Sequence, residues 1–194
     1  MLVTITRSPS KISGTITAPP SKSMAHRAVL CAALAEGRSH ITNLEFSKDI
    51  SATLSAAAQL CAAVGTGADD ATVQGLGHFL PLTAPVDCCE SGSTLRFLIP
   101  LASLTGQSIT FVGRGRLMER PQSVYETLYR EQNLHFEQAN GQLTVAGRLP
   151  PFLRSSISME AVFTQSRLRL FSPSCRWKNT MSVVTSVSAF WRNA

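Results

Sequence analysis

Two stretches within the first 150 residues repeat one order of elements, and this repeat constrains the fold more than any other feature. The first opens on Ser21-Lys22-Ser23 and runs helically over 24–35 to Gly37. A strand-like 39–43 follows, then a helix over 49–64 with Asp49 as N-cap and Gly65 as its stop, then a short strand at 71–75. The second opens on Ser91-Gly92-Ser93 and is helical over 94–104 to Gly106. After it come a strand at 108–112 and a helix at 121–132 with Pro121 in its first turn. Two strands, 134–138 and 142–146, flank the hairpin signal Asn140-Gly141. Gly37 and Gly106 lie 69 apart, as do Arg27 and Arg96, and Gly75 and Gly147 lie 72 apart. A unit of roughly 70 residues, βαβα followed by strands, therefore occurs twice and predicts an α/β fold.

The pattern breaks near residue 150. All 12 glycines precede residue 148, whereas Asp is missing and both tryptophans, Trp177 and Trp191, fall beyond it. Charge divides at the same place. Residues 1–150 carry 12 Lys+Arg against 11 Asp+Glu, and residues 151–194 carry 6 against 1. Of the formal charge of +6, +5 thus belongs to the tail, and no basic face for nucleic acid is expected on the repeat. We read 1–150 as two repeat units and 151–194 as a divergent basic segment: a partly helical extension, or the product of a reading-frame change.

Three loop–helix junctions concentrate cations. At Lys22, Ser23 and Arg27 two prolines, Pro19 and Pro20, stiffen the chain before a helix whose free N–H groups and dipole favour an anion. Ser23 and Arg27, four apart, share a helix face. An ordinary N-cap with a hydrated arginine is the competing reading. At 90–96, Gly92 permits close backbone approach, Ser93 adds a hydroxyl, and Arg96 either meets ligand or braces the loop. At 113–121, Arg116 and Arg120 suit a planar carboxylate or phosphate, or a surface pairing with Glu119.

Other chemistries lack their signatures. No GK[ST] follows the Gly-rich turn, and there is no GxSxG, HExxH or strand-borne GxGxxG. The four histidines are scattered and read as structural. The five cysteines include no CxxC pair and read as reduced thiols without a metal. The longest weakly polar runs are too short to span a bilayer, and the first residues lack the layout of a signal peptide. A cytoplasmic protein without membrane contact is expected.

Taken together, GTITAPPSKSMAHR at 14–27, ESGSTLR at 90–96 and RLMERP at 116–121 resemble the EPSP synthase family, the 3-phosphoshikimate 1-carboxyvinyltransferases. UDP-GlcNAc enolpyruvyl transferases share the architecture but usually open on an SGAKN-type motif, so the SKS…HR form favours the shikimate enzyme. The resemblance implies an inside-out α/β fold of βαβαββ units, here incomplete. It implies transfer of the enolpyruvyl group of phosphoenolpyruvate to the 5-hydroxyl of shikimate 3-phosphate, by a monomer needing no cofactor or metal. Lys22 would contact both substrates as the catalytic cation, Ser23 and Arg27 would hold shikimate 3-phosphate, and Gly92 and Arg116 would hold phosphoenolpyruvate. Ser93, Arg96 and Arg120 would support them. Glu90 stands where many members have Asn. The Ser-Ser-Gln stretch of a third unit is not matched by Ser155-Ser156-Ile157. An inactive amino-terminal fragment is therefore expected, with a non-catalytic shikimate 3-phosphate binder and a nucleic-acid module built on the tail as the other readings.

Overall fold

The computed structural model describes Thr15 and residues 19–148. The basic segment 151–194 lies outside the described residues. In chain order the elements are α1 (Lys22–Leu34), β1 (Gly37–Ile41), α2 (Lys48–Leu60), β2 (Ala62–Thr66), β3 (Ala71–Gly75), β4 (Val86–Asp87), α3 (Gly92–Thr105), β5 (Ile109–Val112), a 3₁₀ turn (Leu117–Glu119), α4 (Ser123–Glu131), β6 (His135–Ala139) and β7 (Gln142–Ala146).

The two stretches share one strand arrangement. In the first unit β3 lies between β1 and β2, antiparallel to both. In the second, β7 lies between β5 and β6 in the same way, and β4 adds a parallel strand beside β5. Each unit thus runs helix, strand, helix, then two strands, the last strand returning to the centre of its sheet. The N-caps fix the correspondence: the Ser21 and Ser91 side chains accept from Met24 N–H and Thr94 N–H, 70 positions apart. In that register Arg96 matches His26 rather than Arg27, so the 69-residue arginine spacing is not the structural one.

Helices α1 and α3 lie innermost, and strands β1 and β6 lie on the outside. Ten of the fourteen residues of α3 and eight of the thirteen of α1 are buried, whereas neither β1 nor β6 has a fully buried residue. The apolar core runs from Val29, Leu30 and Leu34 through Ile50 and Leu54 to Leu95, Leu98, Ile99, Phe111 and Leu143. Gly75 shows how tightly the layers meet. A Cβ there would lie 1.7 Å from the Ala35 carbonyl oxygen, so only glycine lets β3 press on the end of α1.

Several boundaries differ from the periodicity. The α2 helix starts one residue earlier and is capped by Ser47, whose Oγ accepts from Ile50 N–H at 3.3 Å. Asp49 is used elsewhere, as described below. The same helix ends at Leu60, because Ala62–Thr66 pairs residue by residue with β3 from Ala62↔Gly75 to Thr66↔Ala71. An apolar Ala-rich run fits either state, and the sheet ladder decides it. The α4 helix starts at Ser123, after Pro121, without a side-chain cap. The hairpin is as expected: Asn140 and Gly141 both have positive φ, 52° and 73°, which suits a type I′ turn.

Pro100 inside α3 has a defined compensation. It has no N–H to give the Arg96 carbonyl, and the Tyr125 hydroxyl donates to that oxygen instead at 2.8 Å. One turn along, the buried Tyr129 hydroxyl donates to the Ile99 carbonyl at 2.7 Å. Two tyrosines of α4 thus fasten it to α3.

Candidate active site

The starts of α1, α2 and α3 converge. Lys22, the first residue of α1, pairs its Nζ with the carboxylate of Asp49 in the first turn of α2. Five residues on, Arg27 donates from Nη1 to the Ser23 carbonyl at 2.8 Å. Its guanidinium also stands over the ring of Phe97 in α3, 5.2 Å from the centroid. Arg27 therefore spans from α1 to α3, and Lys22, Ser23 and Arg27 do share one end of the molecule.

At the start of α3, Arg120 approaches the backbone. A Cβ on Gly92 would lie 3.1 Å from Arg120 Nη1, so glycine admits the guanidinium to the helix mouth. The Arg120 carbonyl accepts from Gln138 Nε2 at 3.0 Å, which anchors this segment to β6. Ser91 beneath it is buried, while Gly92, Ser93 and Arg96 are half-buried. The Arg96 carbonyl is the one bound by Tyr125, so its backbone at least has a bracing part.

The arginine loop is divided in its duties. Arg114 pairs with Asp87 at 3.0 Å, and its N–H donates to the Cys89 carbonyl at 2.6 Å. The Cys89 N–H and Arg114 together hold the Asp87 carboxyl below its usual pKa, against a smaller opposing effect of burial. Arg116 is 87% exposed and pairs with Glu119 at 3.2 Å, on the outside of the loop. The structure thus brings Lys22, Ser23, Arg27, Gly92 and Arg120 to one end of three helices and leaves Arg116 paired on the surface. Glu90 packs on the same loop, its Oε1 2.8 Å from where a Gly115 Cβ would be.

Beneath the helix starts runs a buried chain of side chains. His26 Nδ1 is 2.7 Å from Thr53 Oγ1, Thr53 Oγ1 is 2.7 Å from Thr94 Oγ1, and Thr94 Oγ1 donates to Ser91 Oγ at 2.7 Å. Both threonine hydroxyls also approach the Asp49 carbonyl, at 3.2 Å from Thr53 and 3.4 Å from Thr94. Burial, aided by Lys22 and Arg27 and opposed by Asp49, lowers the His26 pKa to about 4. His26 is structural, as expected. Thr53 and Thr94 were not singled out by spacing, and Asp49 only as a helix cap, since their partners lie 27 to 45 residues away in the chain.

A shallow pocket of ≈ 100 Å³ opens beside Lys22, lined by Pro20, Ser21, Lys22, Ala25, Glu45 and Ser47. The carboxylate of Glu45 in its wall disfavours an anion there, so the Gly92 side is the better seat. Among the described residues no group of three or more His, Cys, Asp or Glu is placed to hold a metal ion, and no helix is long and apolar enough to cross a membrane. Burial raises the thiol of Cys31 to about 11 and those of Cys61 and Cys88 to about 12, so these three stay protonated and inert.

With this geometry in hand, comparison with known proteins gives consistent matches. Residues 6–161 match the family described as EPSP synthase (3-phosphoshikimate 1-carboxyvinyltransferase). A protein of that name from Clostridium kluyveri is 43% identical over 143 residues, covering 73% of this chain and 34% of its own length. Another from Clostridium beijerinckii is 44% identical over 142 residues, covering 70% and 33%. The chain therefore spans about a third of the length of the curated relatives it matches. A solved structure of EPSP synthase from Acinetobacter baumannii superposes with a TM-score of 0.63 at 23% identity, over 69% of this chain and 32% of that one, a likeness of fold.

Proposed function

Since this chain belongs to the EPSP synthase family, we propose that the convergent starts of α1, α2 and α3 are part of a site that binds shikimate 3-phosphate and phosphoenolpyruvate for enolpyruvyl transfer. The observation that supports the reading most is that Lys22 and Arg27 stand at the start of α1 and Arg120 at the start of α3, two helix starts joined through Asp49 and Thr94. Both substrates are anions that repel one another. Fixed cations and helix N-termini offset that repulsion before the reaction starts and have no reorganisation to undergo during it.

In the proposed reaction the 5-hydroxyl of shikimate 3-phosphate attacks C2 of phosphoenolpyruvate while C3 takes a proton. Phosphate then leaves C2 of the tetrahedral intermediate as C3 gives up a proton, and the enol ether forms. Lys22 contacts both substrates. Ser23 and Arg27 hold shikimate 3-phosphate, which requires Arg27 to share its charge between Phe97 and the ligand. Gly92 offers its backbone to phosphoenolpyruvate, and Ser93, Arg96 and Arg120 support that seat. Arg116 serves phosphoenolpyruvate only after leaving Glu119, an exposed pair whose strength is within about 1 kcal/mol.

A monomer in the cytoplasm is the accompanying reading. Residues 151–194 are treated as a segment apart from the two units, supported by the loss of glycine after Gly147. Nucleotide sequence across codons 148–160 tests that division, and an uninterrupted frame shared by relatives contradicts it. Binding is tested by calorimetry with shikimate 3-phosphate on the wild type and on Lys22→Ala. The reading expects saturable binding that weakens at least tenfold in the variant; equal or absent binding in both removes it. No phosphate release is expected from these 194 residues alone, and normal steady-state turnover would contradict that part.

A further inference from the structure

The buried chain beneath the helix starts has an electrostatic direction that can be worked out atom by atom. His26 is 1% exposed, and its Nε2 is a buried polar atom without a hydrogen-bond partner. If Nε2 carried the proton, a buried donor would be orphaned and Nδ1 would take the Thr53 hydrogen. Thr53 would then have no hydrogen for Thr94 or the Asp49 carbonyl, and the chain would have to run backwards from Ser91. With the proton on Nδ1, His26 donates to Thr53, Thr53 donates onward to Thr94 or the Asp49 carbonyl, and Thr94 donates to Ser91. Only an acceptor lone pair is then left without a partner. An unpaired buried acceptor is better tolerated than an unpaired donor, which selects this direction.

Ser91 is the N-cap of α3, holding Thr94 N–H at 3.2 Å, and Asp49 is the partner of Lys22. One relay therefore ends on the cap of α3 and on the residue that holds the first cation of α1. We propose that His26, Thr53 and Thr94 are positioning residues that lock the starts of α1, α2 and α3 in one relative placement, with His26 held as the Nδ1–H tautomer, so that Lys22 and the mouth of α3 face the same anion. The assignment rests on the site reading above, and it adds three residues that touch no substrate.

Two measurements on the full 194-residue chain test it. Nitrogen-15 NMR of the imidazole reads the tautomer directly: Nδ1–H in the wild type and a shift toward Nε2–H in Thr53→Val support the relay. A wild-type Nε2–H tautomer overturns it. Calorimetry with shikimate 3-phosphate then compares Thr94→Val, Thr94→Ser and Lys22→Ala. A loss of about five- to tenfold in Thr94→Val, regained in Thr94→Ser with the urea midpoints of the two variants equal, is the expected result. Full affinity in Thr94→Val while Lys22→Ala weakens binding overturns the positioning role and spares the site reading. Wild type and Lys22→Ala alike without binding overturns the site reading and the positioning role together.

Discussion

Lys22 is held by one carboxylate and stands at a helix mouth, so its charge has two competing uses. Its side chain is 54% exposed and that of Asp49 26%, which keeps the resting pair weak enough to yield to an anionic ligand. Replacing Asp49 by Asn should therefore leave Lys22 unpaired at modest cost in stability, about 1 kcal/mol or less, measured by urea unfolding. His26 makes the opposite kind of statement, because it is folded into the core neutral. Its pKa is about 4 in the folded chain against about 6.5 when exposed, so the unfolded chain binds more protons between those values. Its contribution is complete above pH 6.5 and is lost as pH falls toward 4. The urea midpoint should drop more steeply between pH 7 and 4.5 in the wild type than in His26→Asn; equal slopes would show that His26 is not the group responsible. The local parts of the site were readable because their spacing is helical: Lys22, Ser23 and Arg27 lie within one turn and a half. Asp49, Thr53 and Thr94 were not, since nothing in a string of residues says that positions 26, 53 and 94 meet.

Among the elements, α3 is the one whose sequence carries a visible conflict, a proline within a buried helix. Tyr125 resolves it by donating to the carbonyl that Pro100 cannot serve. Tyr125→Phe should therefore destabilise the chain by about 1–2 kcal/mol, and a chemical-denaturation midpoint unchanged from wild type would show that water does the same work. Strand β3 presents a harder constraint. Gly75→Ala should cost about 3 kcal/mol or more and yield little folded protein, because Ala35, Ala32 and Ala33 offer only backbone oxygens to the new methyl group. Circular dichroism of the expressed variant checks this. The hairpin at Asn140-Gly141 and the stop at Gly106 were legible because glycine and asparagine with positive φ are local signals. The end of α2 was not, because Cys61-Ala62-Ala63-Val64 continues an apolar run that only pairing with β3 turns into a strand.

At the scale of the molecule, the two units place a helix N-terminus and its serine cap at matching positions, Ser21 and Ser91, and set both at one end. The two units thus set two helix starts side by side, and the hydrogen-bonded chain from His26 to Ser91 ties them together. The repeat was legible from glycine spacing, yet its true register came from the caps, since Arg96 matches His26. The central claim is that the mouths of α1 and α3 act as one receptor for anionic substrates. Amide nitrogen-15 NMR during titration with shikimate 3-phosphate, then phosphoenolpyruvate, tests it most directly. The Ser23 amide should move saturably with the first ligand and the Gly92 and Ser93 amides with the second, and both responses should disappear in Lys22→Ala. Shifts confined to the basic segment 151–194, or none at all, would contradict it.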